Sequence, residues 1–464
     1  MKQDTQVKSK SRTSRFFHSQ VNHLVASQVS KGSSIIDIGS SDGSTLAACQ
    51  PFCGVGIELN AELVGRISFS DDKIKFICNS VEQISESPIT NPDYIIMSLL
   101  LDEVADVSAV LTNVSGWCSS STRLVVVTYN RIWRPLLSLA ELLRMKSTGT
   151  LENYVPFDQV VNLFELAGFE ITRSTDGVLL PLYIPLLSKV LNRWIAPLPG
   201  IRHLCLVKVT TIRKVSREPR VPESLSIVVA ARNEQGNITE IIRRVPQLAA
   251  RQELIFVEGG SSDGTWLEIQ TAIRNYTGNT SQKIFALQQQ GKGKGDAVRC
   301  GFEVATGEVL MILDADLSVM PEELFKFVDA ISQDRCEFAN GSRLVYPMDN
   351  YAMRFLNVVG NKFFALLFKY LLGQPVGDTL CGTKVLRKSD YDRIISNRTE
   401  ICDFDPFGDF DLLFGASKLG LRIRDIPIHY KERTYGETNI SRFSHGLLLI
   451  KMCRVAAIKL KFIG

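Results

Sequence analysis

Apolar and polar positions along this chain fall into alternating blocks of two kinds. Short runs rich in strand formers, Ile35 to Ile38, Val55 to Leu59, Ile74 to Cys78, Tyr94 to Leu101 and Leu124 to Val127, are separated by stretches with helical spacing. The same rhythm restarts at Ser226 to Ala230 and continues through Glu253 to Val257, Lys283 to Leu287 and Val309 to Leu313. Strands alternating with helices predict doubly wound parallel sheets, so the chain reads as two α/β domains. Between the two series lies TTIRKVSREPRVPE, Thr210 to Glu223, a basic, proline-bearing stretch with the composition of a linker. The expected boundaries are a basic arm over 1–30 that leads into a helix, a first domain over 31–210, a linker over 211–223, a second domain over 224–442 and an amphipathic tail over 443–464.

Composition narrows the class. With 464 residues, 45% hydrophobic and 22% charged, the chain has the balance of globular protein and the length for two or three domains. A net charge of +4 is small for this length and gives no reason to expect a nucleic-acid partner. Ten cysteines stand without a CxxC pair, and the N-terminus is polar and basic with no apolar core of a signal peptide. Both features fit a reducing compartment, so a cytoplasmic protein is expected. No run reaches the roughly 18 apolar residues that a spanning helix needs. Val178 to Leu187 carries Pro181 and Pro185, and Tyr351 to Leu372 carries Arg354, Lys362 and Lys369. Such segments are suited to lie on a membrane surface instead, which would make the protein peripheral on the cytoplasmic face.

In the first half, IIDIGSSDGST (Ile35 to Thr45) is a strand ending in an acid and a glycine-rich turn. Gly39 and Gly43 allow a tight turn and close approach of backbone to a ligand. The next strand, GVGIELN, ends at Glu58, 21 residues after Asp37, an interval that suits an acid on a ribose diol. A purely structural turn is the alternative for the glycines alone. These residues resemble class I S-adenosylmethionine-dependent methyltransferases, whose first motif runs D-x-G-x-G-x-G. The resemblance covers roughly residues 30 to 210 and includes DYIIMSLLLDEV, Asp93 to Val104. It implies a Rossmann-like methyltransferase fold with Asp37, Gly39, Ser41 and Gly43 around the methionine part of S-adenosylmethionine and Glu58 on its ribose. The chain departs from the pattern at Ser41, where the middle glycine is expected, and at Ser80, where an adenine-contacting aspartate is common. Asp102 and Glu103 are candidates for the acceptor side, with a helix cap as the alternative. A nicotinamide-dependent oxidoreductase is disfavoured because the turn lacks G-x-G-x-x-G spacing.

In the second half the strand Val309 to Leu313 runs into Asp314, Ala315 and Asp316. Two acids at alternate positions of an extended chain point the same way and repel, so a cation is expected between them. Upstream strands end in Asn233 and Glu234 and in Glu258, and the ends of parallel strands line one crevice. GKGKGDAVRCGFEVATGE, Gly291 to Glu308, offers Lys292, Lys294 and Arg299 among glycines, as a phosphate would need.

These stretches, with NGSRLV (Asn340 to Val345), DTLCGTKVL (Asp378 to Leu386), FDLLFGASKLGLRIRDIPIHYKER (Phe410 to Arg433) and YGETNIS (Tyr435 to Ser441), resemble glycosyltransferase family 2 over about residues 222 to 445. The resemblance implies an inverting enzyme of GT-A fold acting on a nucleotide-sugar donor. It implies Mg²⁺ or Mn²⁺ on Asp314 and Asp316, with Ala231, Asn233, Glu234 and Glu258 framing the nucleoside. Lys294 and Asp314 would lie at the diphosphate, Asp378 with the Gly382 loop at the sugar and acceptor, and Arg433 on phosphate. The chain departs at Gly259, where a second aspartate is frequent, and at Asn439, where lysine is frequent, leaving Arg442 as a substitute.

The segment RLVYPMDNYAMRFLNVVGNKFFALLFKYLLGQPVGDTLCGTKV is most similar to the subset that glycosylates polyprenyl phosphates. Phe355, Phe363, Phe364, Leu367 and Phe368 there, and the tail with Lys451, Arg454, Lys459 and Lys461, read as amphipathic faces for a headgroup layer. Core packing or an oligomer interface is the alternative. A lipid phosphate acceptor is already anionic and needs no strong base. A sugar hydroxyl of a glycan acceptor needs a carboxylate, for which Asp411 or Asp409 is nominated. The expected function is metal-dependent sugar transfer in cell-surface glycan assembly, fused to a methyltransferase. The alternative is an inactive first domain that serves as a docking scaffold.

Overall fold

The computed structural model describes residues 12–65, 72–84, 86–101, 104, 106–133, 157–216, 218–278, 280–343, 345, 355–398, 410–431, 435 and 442–462. The chain divides into two compact units, residues 1–215 with 460–464 and residues 216–459.

The first unit is built on strands β1 (Ser34–Ile38), β2 (Cys53–Glu58), β3 (Ile74–Cys78), β4 (Tyr94–Ser98), β5 (Arg123–Tyr129), β6 (Phe169–Gly177) and β7 (Val207–Lys214). They form one sheet in the order β3-β2-β1-β4-β5-β7-β6. The first five are parallel, while β7 runs antiparallel to both β5 and β6, so the sheet is mixed rather than wholly parallel. Alternate side chains feed two cores. Ile36, Ile38, Val55 and Ile57 join the cluster with Val110, Leu111 and Val114, while Ile35, Ile96 and Val125 meet Val21, Leu24 and Val25 on the other face.

Those last three residues belong to the helix Arg12–Gln28, so most of the basic arm expected over 1–30 is itself helix. Each fully buried aliphatic side chain stabilises by about 2 kcal/mol, enough together to hold the helix on the sheet. The linker expectation also changes: Thr211 to Lys214 are strand, not connection. Their basic composition concealed this because Arg213 is buried with Nη2 2.6 Å from Glu170 Oε1.

The second unit contains β8 (Ser224–Ala231), β9 (Arg251–Glu258), β10 (Gln282–Gln288), β11 (Val309–Asp314), β12 (Phe338–Ser342), β13 (Lys384–Arg387) and β14 (Ile423–Pro427). Their order is β10-β9-β8-β11-β13-β12-β14. Strands β10, β9, β8 and β11 are parallel, and β13 is antiparallel to β11 and β12. The central strands carry continuous apolar runs, such as Ile227 to Ala231, Leu254 to Val257 and Val309 to Leu313, because both faces are covered. Chain order reverses between β8 and β11, and a crevice outside the carboxyl ends is expected at that point.

Candidate functional site

Register sets the second unit's site. Ala231 pairs with Glu258 and Ala230 with Asp314, so three neighbouring strands end together. The two turns that follow β8 and β9 are stitched to each other. Asn233, with φ 58, donates its N–H to Ser261 Oγ at 3.0 Å, and its Oδ1 accepts from Ser262 N–H at 2.8 Å. Asparagine tolerates this left-handed conformation better than most residues. Glu258 accepts from Ser261 N–H at 2.5 Å and from Gln288 Nε2 at 3.1 Å. Burial pushes its carboxyl up, but these hydrogen bonds outweigh burial and hold it below the ordinary range. Glu234 is buried and accepts from Asn237 Nδ2 at 2.7 Å. The expected group of Ala231, Asn233, Glu234, Glu258 and Asp314 is therefore gathered at one edge.

Lys294 arrives from the other side. It opens the helix Lys294–Val304, which rests on β8 at Gly301, where an added Cβ would collide with Val228. That close approach brings Lys294 Nζ to 2.7 Å from Asp314 Oδ1. Burial raises the Asp314 carboxyl, while Lys294, Arg343 and Lys384 more than reverse this and keep it ionised. Gly382 lies on the pair, since a Cβ there would overlap both Asp314 Oδ2 and Lys294 Nζ. Asp316 Oδ1 accepts from Ser318 N–H at 3.0 Å, closing the turn in which Leu317 takes φ 54.

Among the described residues no group of three or more His, Cys, Asp or Glu could hold a metal by itself. Two aspartates with hard oxygen donors nonetheless suit Mg²⁺ or Mn²⁺, which bind through one or two carboxylates and complete their shell with substrate phosphate and water.

Three expectations change. Asp378, expected at the sugar, is 0% exposed, and both its oxygens bind Arg343, at 2.7 Å from Nε and 2.9 Å from Nη2. It anchors Arg343, whose guanidinium lies 5.0 Å from the Tyr430 ring centre, and does not line the crevice. Asp411 is buried in the helix Phe410–Lys418, with Oδ2 3.8 Å from both Arg299 and Arg398. At 5% exposure it is out of reach of an acceptor hydroxyl. Phe368 is core rather than a membrane face, with its ring centre 5.2 Å and 5.3 Å from Phe410 and Phe414. Phe363 and Leu366 on the same helix are exposed.

Asp409, Arg433, Asn439, Asp102 and Glu103 lie outside the described residues, as do the side chains of Phe355 and Arg442. Lys431 N–H bonds to Ser318 O at 3.0 Å, beside the turn after Asp316. Sequence reasoning missed the role of Arg343 and the buried Lys384. Their signal was a basic residue inside an otherwise apolar or small-residue strand end.

In the first unit, Gly39, Ser41 and Gly43 have φ of 73, 51 and 73, so the turn is left-handed at three alternate residues. Ser41 adopts this at a cost of about 1 kcal/mol. Its N–H bonds to Glu58 Oε2 at 2.8 Å, and Glu58 Oε1 accepts from Asn60 N–H at 3.0 Å. Each oxygen keeps a second lone pair, so a ribose diol is not excluded. Asp37 is buried with no hydrogen-bond partner for either oxygen among the described residues, and burial, then Glu58, then Asp42, push its carboxyl up to about 8. A buried acid without a partner beside a glycine turn fits a cationic cofactor such as S-adenosylmethionine. Ser80, at the position noted for adenine, caps a short turn by accepting from Glu82 N–H at 3.3 Å. A cavity of about 640 Å³ lined by Arg15, His18, Asn22, His23, Asp42 and Ser44 adjoins the glycine turn.

With these geometries in hand, the comparisons with known proteins assign both halves to a class. Residues 226–395 match the profile described as Glycosyl transferase family 2, and residues 10–174 the profile described as Methyltransferase domain. The chain thus joins an N-terminal methyltransferase domain to a C-terminal glycosyltransferase family 2 domain. An undecaprenyl-phosphate 4-deoxy-4-formamido-L-arabinose transferase of Sodalis glossinidius is 26% identical over 227 residues, 48% of this chain and 64% of that relative. The chain therefore matches less than two thirds of that relative's length. Glucosyl-3-phosphoglycerate synthase of Mycobacterium tuberculosis, solved with Mn²⁺ and UDP, is 17% identical with a TM-score of 0.37, covering 51% of this chain and 80% of that one. A Haloferax volcanii putative methyltransferase complex with the Trm112 activator is 13% identical with a TM-score of 0.34, covering 44% and 93%.

Among the described residues, no helix is long and apolar enough to cross a membrane.

Proposed function

We propose that the second domain transfers a sugar with inversion from a nucleotide-sugar donor to a polyprenyl phosphate, in assembly of a cell-surface glycan. The observation that carries this reading is the common edge formed by Ala231, Glu258 and Asp314, with Lys294 beside Asp314. The nucleoside would sit against Ala231, Asn233, Glu234 and Glu258. Lys294, half-buried and aimed at the same edge, would hold the diphosphate as a point charge. Asp314 and Asp316 would hold Mg²⁺ or Mn²⁺, which when bound offsets the negative charge of the departing nucleoside diphosphate. The acceptor oxygen forms a bond to the anomeric carbon from the opposite face as the bond to the diphosphate breaks.

Two features support an anionic lipid phosphate over a sugar hydroxyl. Asp411 is 5% exposed, with Arg299 and Arg398 each 3.8 Å from Oδ2, and is badly placed to meet an acceptor hydroxyl. The relative from Sodalis glossinidius is by its name an undecaprenyl-phosphate sugar transferase. Such an acceptor would bring the protein to the cytoplasmic face of a membrane as a peripheral enzyme. Incubation of the purified chain with Mn²⁺, a panel of nucleotide sugars and undecaprenyl phosphate tests the reading. Release of nucleoside diphosphate with label appearing on the lipid is expected; no donor turnover with any nucleotide sugar would remove it.

For the first domain we propose S-adenosylmethionine-dependent methyl transfer, with Asp37, Gly39, Ser41, Gly43 and Glu58 around the cofactor. The bound cofactor supplies an activated methyl group, and the protein contributes orientation and exclusion of water. The second reading, a non-catalytic scaffold, is favoured by one observation: Glu58 already closes the turn on Ser41. Calorimetric titration with S-adenosylmethionine decides, because a scaffold gives no saturable heat.

A further inference from the structure

The connection between β6 and β7 inverts the usual order of inside and outside. From Leu182 to Leu187 six consecutive residues, Leu-Tyr-Ile-Pro-Leu-Leu, are exposed, with Leu186 at 83%. Val190, Trp194 and Leu204 extend this apolar surface. The polar residues of the same segment are turned inward. Ser188, 2% exposed, donates from Oγ to Leu182 O at 2.6 Å and accepts from Ile184 N–H at 2.8 Å. Buried Asn192 donates to Leu180 O at 2.9 Å and accepts from Leu180 N–H at 2.8 Å. These bonds fix the backbone while the apolar side chains face out, an arrangement that is unfavourable against water.

Charge within the segment itself is of one sign. No Asp or Glu occurs between Asp176 and Glu218, whereas Lys189, Arg193 and Arg202 do. From the helix Arg12–Gln28, the Arg12 guanidinium lies 4.4 Å from the Tyr183 ring centre, and Arg193 lies 5.4 Å from that of Trp194. A second copy of the chain would bring one basic rim against another, since a two-fold interface pairs a patch with itself. A leaflet of anionic lipid complements both features: apolar side chains enter the acyl boundary, Tyr183 and Trp194 sit at headgroup level, and the cations meet lipid phosphate.

We propose that residues 178–204 form an interfacial membrane-docking surface of the methyltransferase domain, binding anionic bilayers by insertion of Leu186 and its neighbours. It goes beyond the transfer reactions and rests on its own surface, so vesicles free of polyprenyl phosphate test it separately from the acceptor reading. The full chain is floated with vesicles of phosphatidylcholine alone or with about one third phosphatidylglycerol. Flotation with the anionic vesicles, at least tenfold weaker for Leu186→Asp/Leu187→Asp and weakened by salt, is expected. Both substituted positions are exposed, and an unchanged melting temperature verifies folding. In the parent chain, lipids brominated near the headgroup should quench a fluorescence component that Trp194→Phe removes. Absence of flotation, equal flotation of the double variant, or self-association that lipid does not disperse would overturn the proposal.

Discussion

Lys294 Nζ stands 2.7 Å from Asp314 Oδ1, with Gly382 so close that any side chain there would displace both. The pair keeps Asp314 ionised at the end of β11 before any other cation arrives. Gly382→Ala is therefore expected to lower sugar transfer at least tenfold with little change in melting temperature, since the collision falls on flexible side-chain ends. Steady-state turnover beside a thermal melt checks this. Unchanged turnover would separate Gly382 from the reaction centre.

Asp316 Oδ1 accepts from Ser318 N–H in the turn after β11. Asp316→Ala should cost only about 1 kcal/mol of stability, as for a lost cap, yet abolish Mn²⁺-dependent transfer. Full activity in the variant would take the metal out of the proposed mechanism.

Asp378 and Arg343 are partners in a buried bidentate ion pair. Asp378→Ala leaves the guanidinium uncompensated and is expected to destabilise the second domain by about 3 kcal/mol. Urea unfolding reads this directly. A variant of parental stability with lost donor binding would instead return Asp378 to the sugar site.

Asp37 gives a pH signature. Its carboxyl, raised to about 8 by burial and then by Glu58 and Asp42, stays protonated in the folded chain up to that pH. The unfolded chain releases the proton at roughly pH 4. Between these values the folded state binds more protons, so stability falls as pH rises. Asp37→Asn removes that slope, and the cofactor-free variant should melt above the parent at pH 8 and close to it at pH 4.5. The same variant should lose S-adenosylmethionine affinity. Parallel melting curves for the two proteins across this range would refute the assignment.

Glu58 holds the Ser41 turn and is the proposed ribose acid. Glu58→Ala should weaken S-adenosylmethionine binding at least tenfold, while Glu58→Gln, which retains an acceptor for Ser41 N–H, should recover part of it. Isothermal titration distinguishes the two, and equal affinities for all three proteins would exclude Glu58 from the cofactor site.

Most strands were legible because a strand buried on both faces is a short, mainly apolar run, as Val309 to Leu313 is in β11. The antiparallel strands were not. In β7 a buried Arg213 paired with Glu170 imitates linker composition, and in β13 Lys384 is buried although it reads as a surface residue. Glu170, 43 residues away, neutralises Arg213, and Lys384 donates to the Cys381 carbonyl inside the fold; local pattern carries no trace of either.

The sequence by itself determined that acids and glycines end successive strands, because parallel strands deliver their carboxyl ends to one edge. The tertiary structure alone decided which acids remain available there. Asp378 meets the guanidinium of Arg343 and Asp411 those of Arg299 and Arg398, whereas Asp314 meets Lys294 at the crevice. A carboxylate's role follows from which cation folding brings within about 4 Å, and that distance is a property of the packed chain.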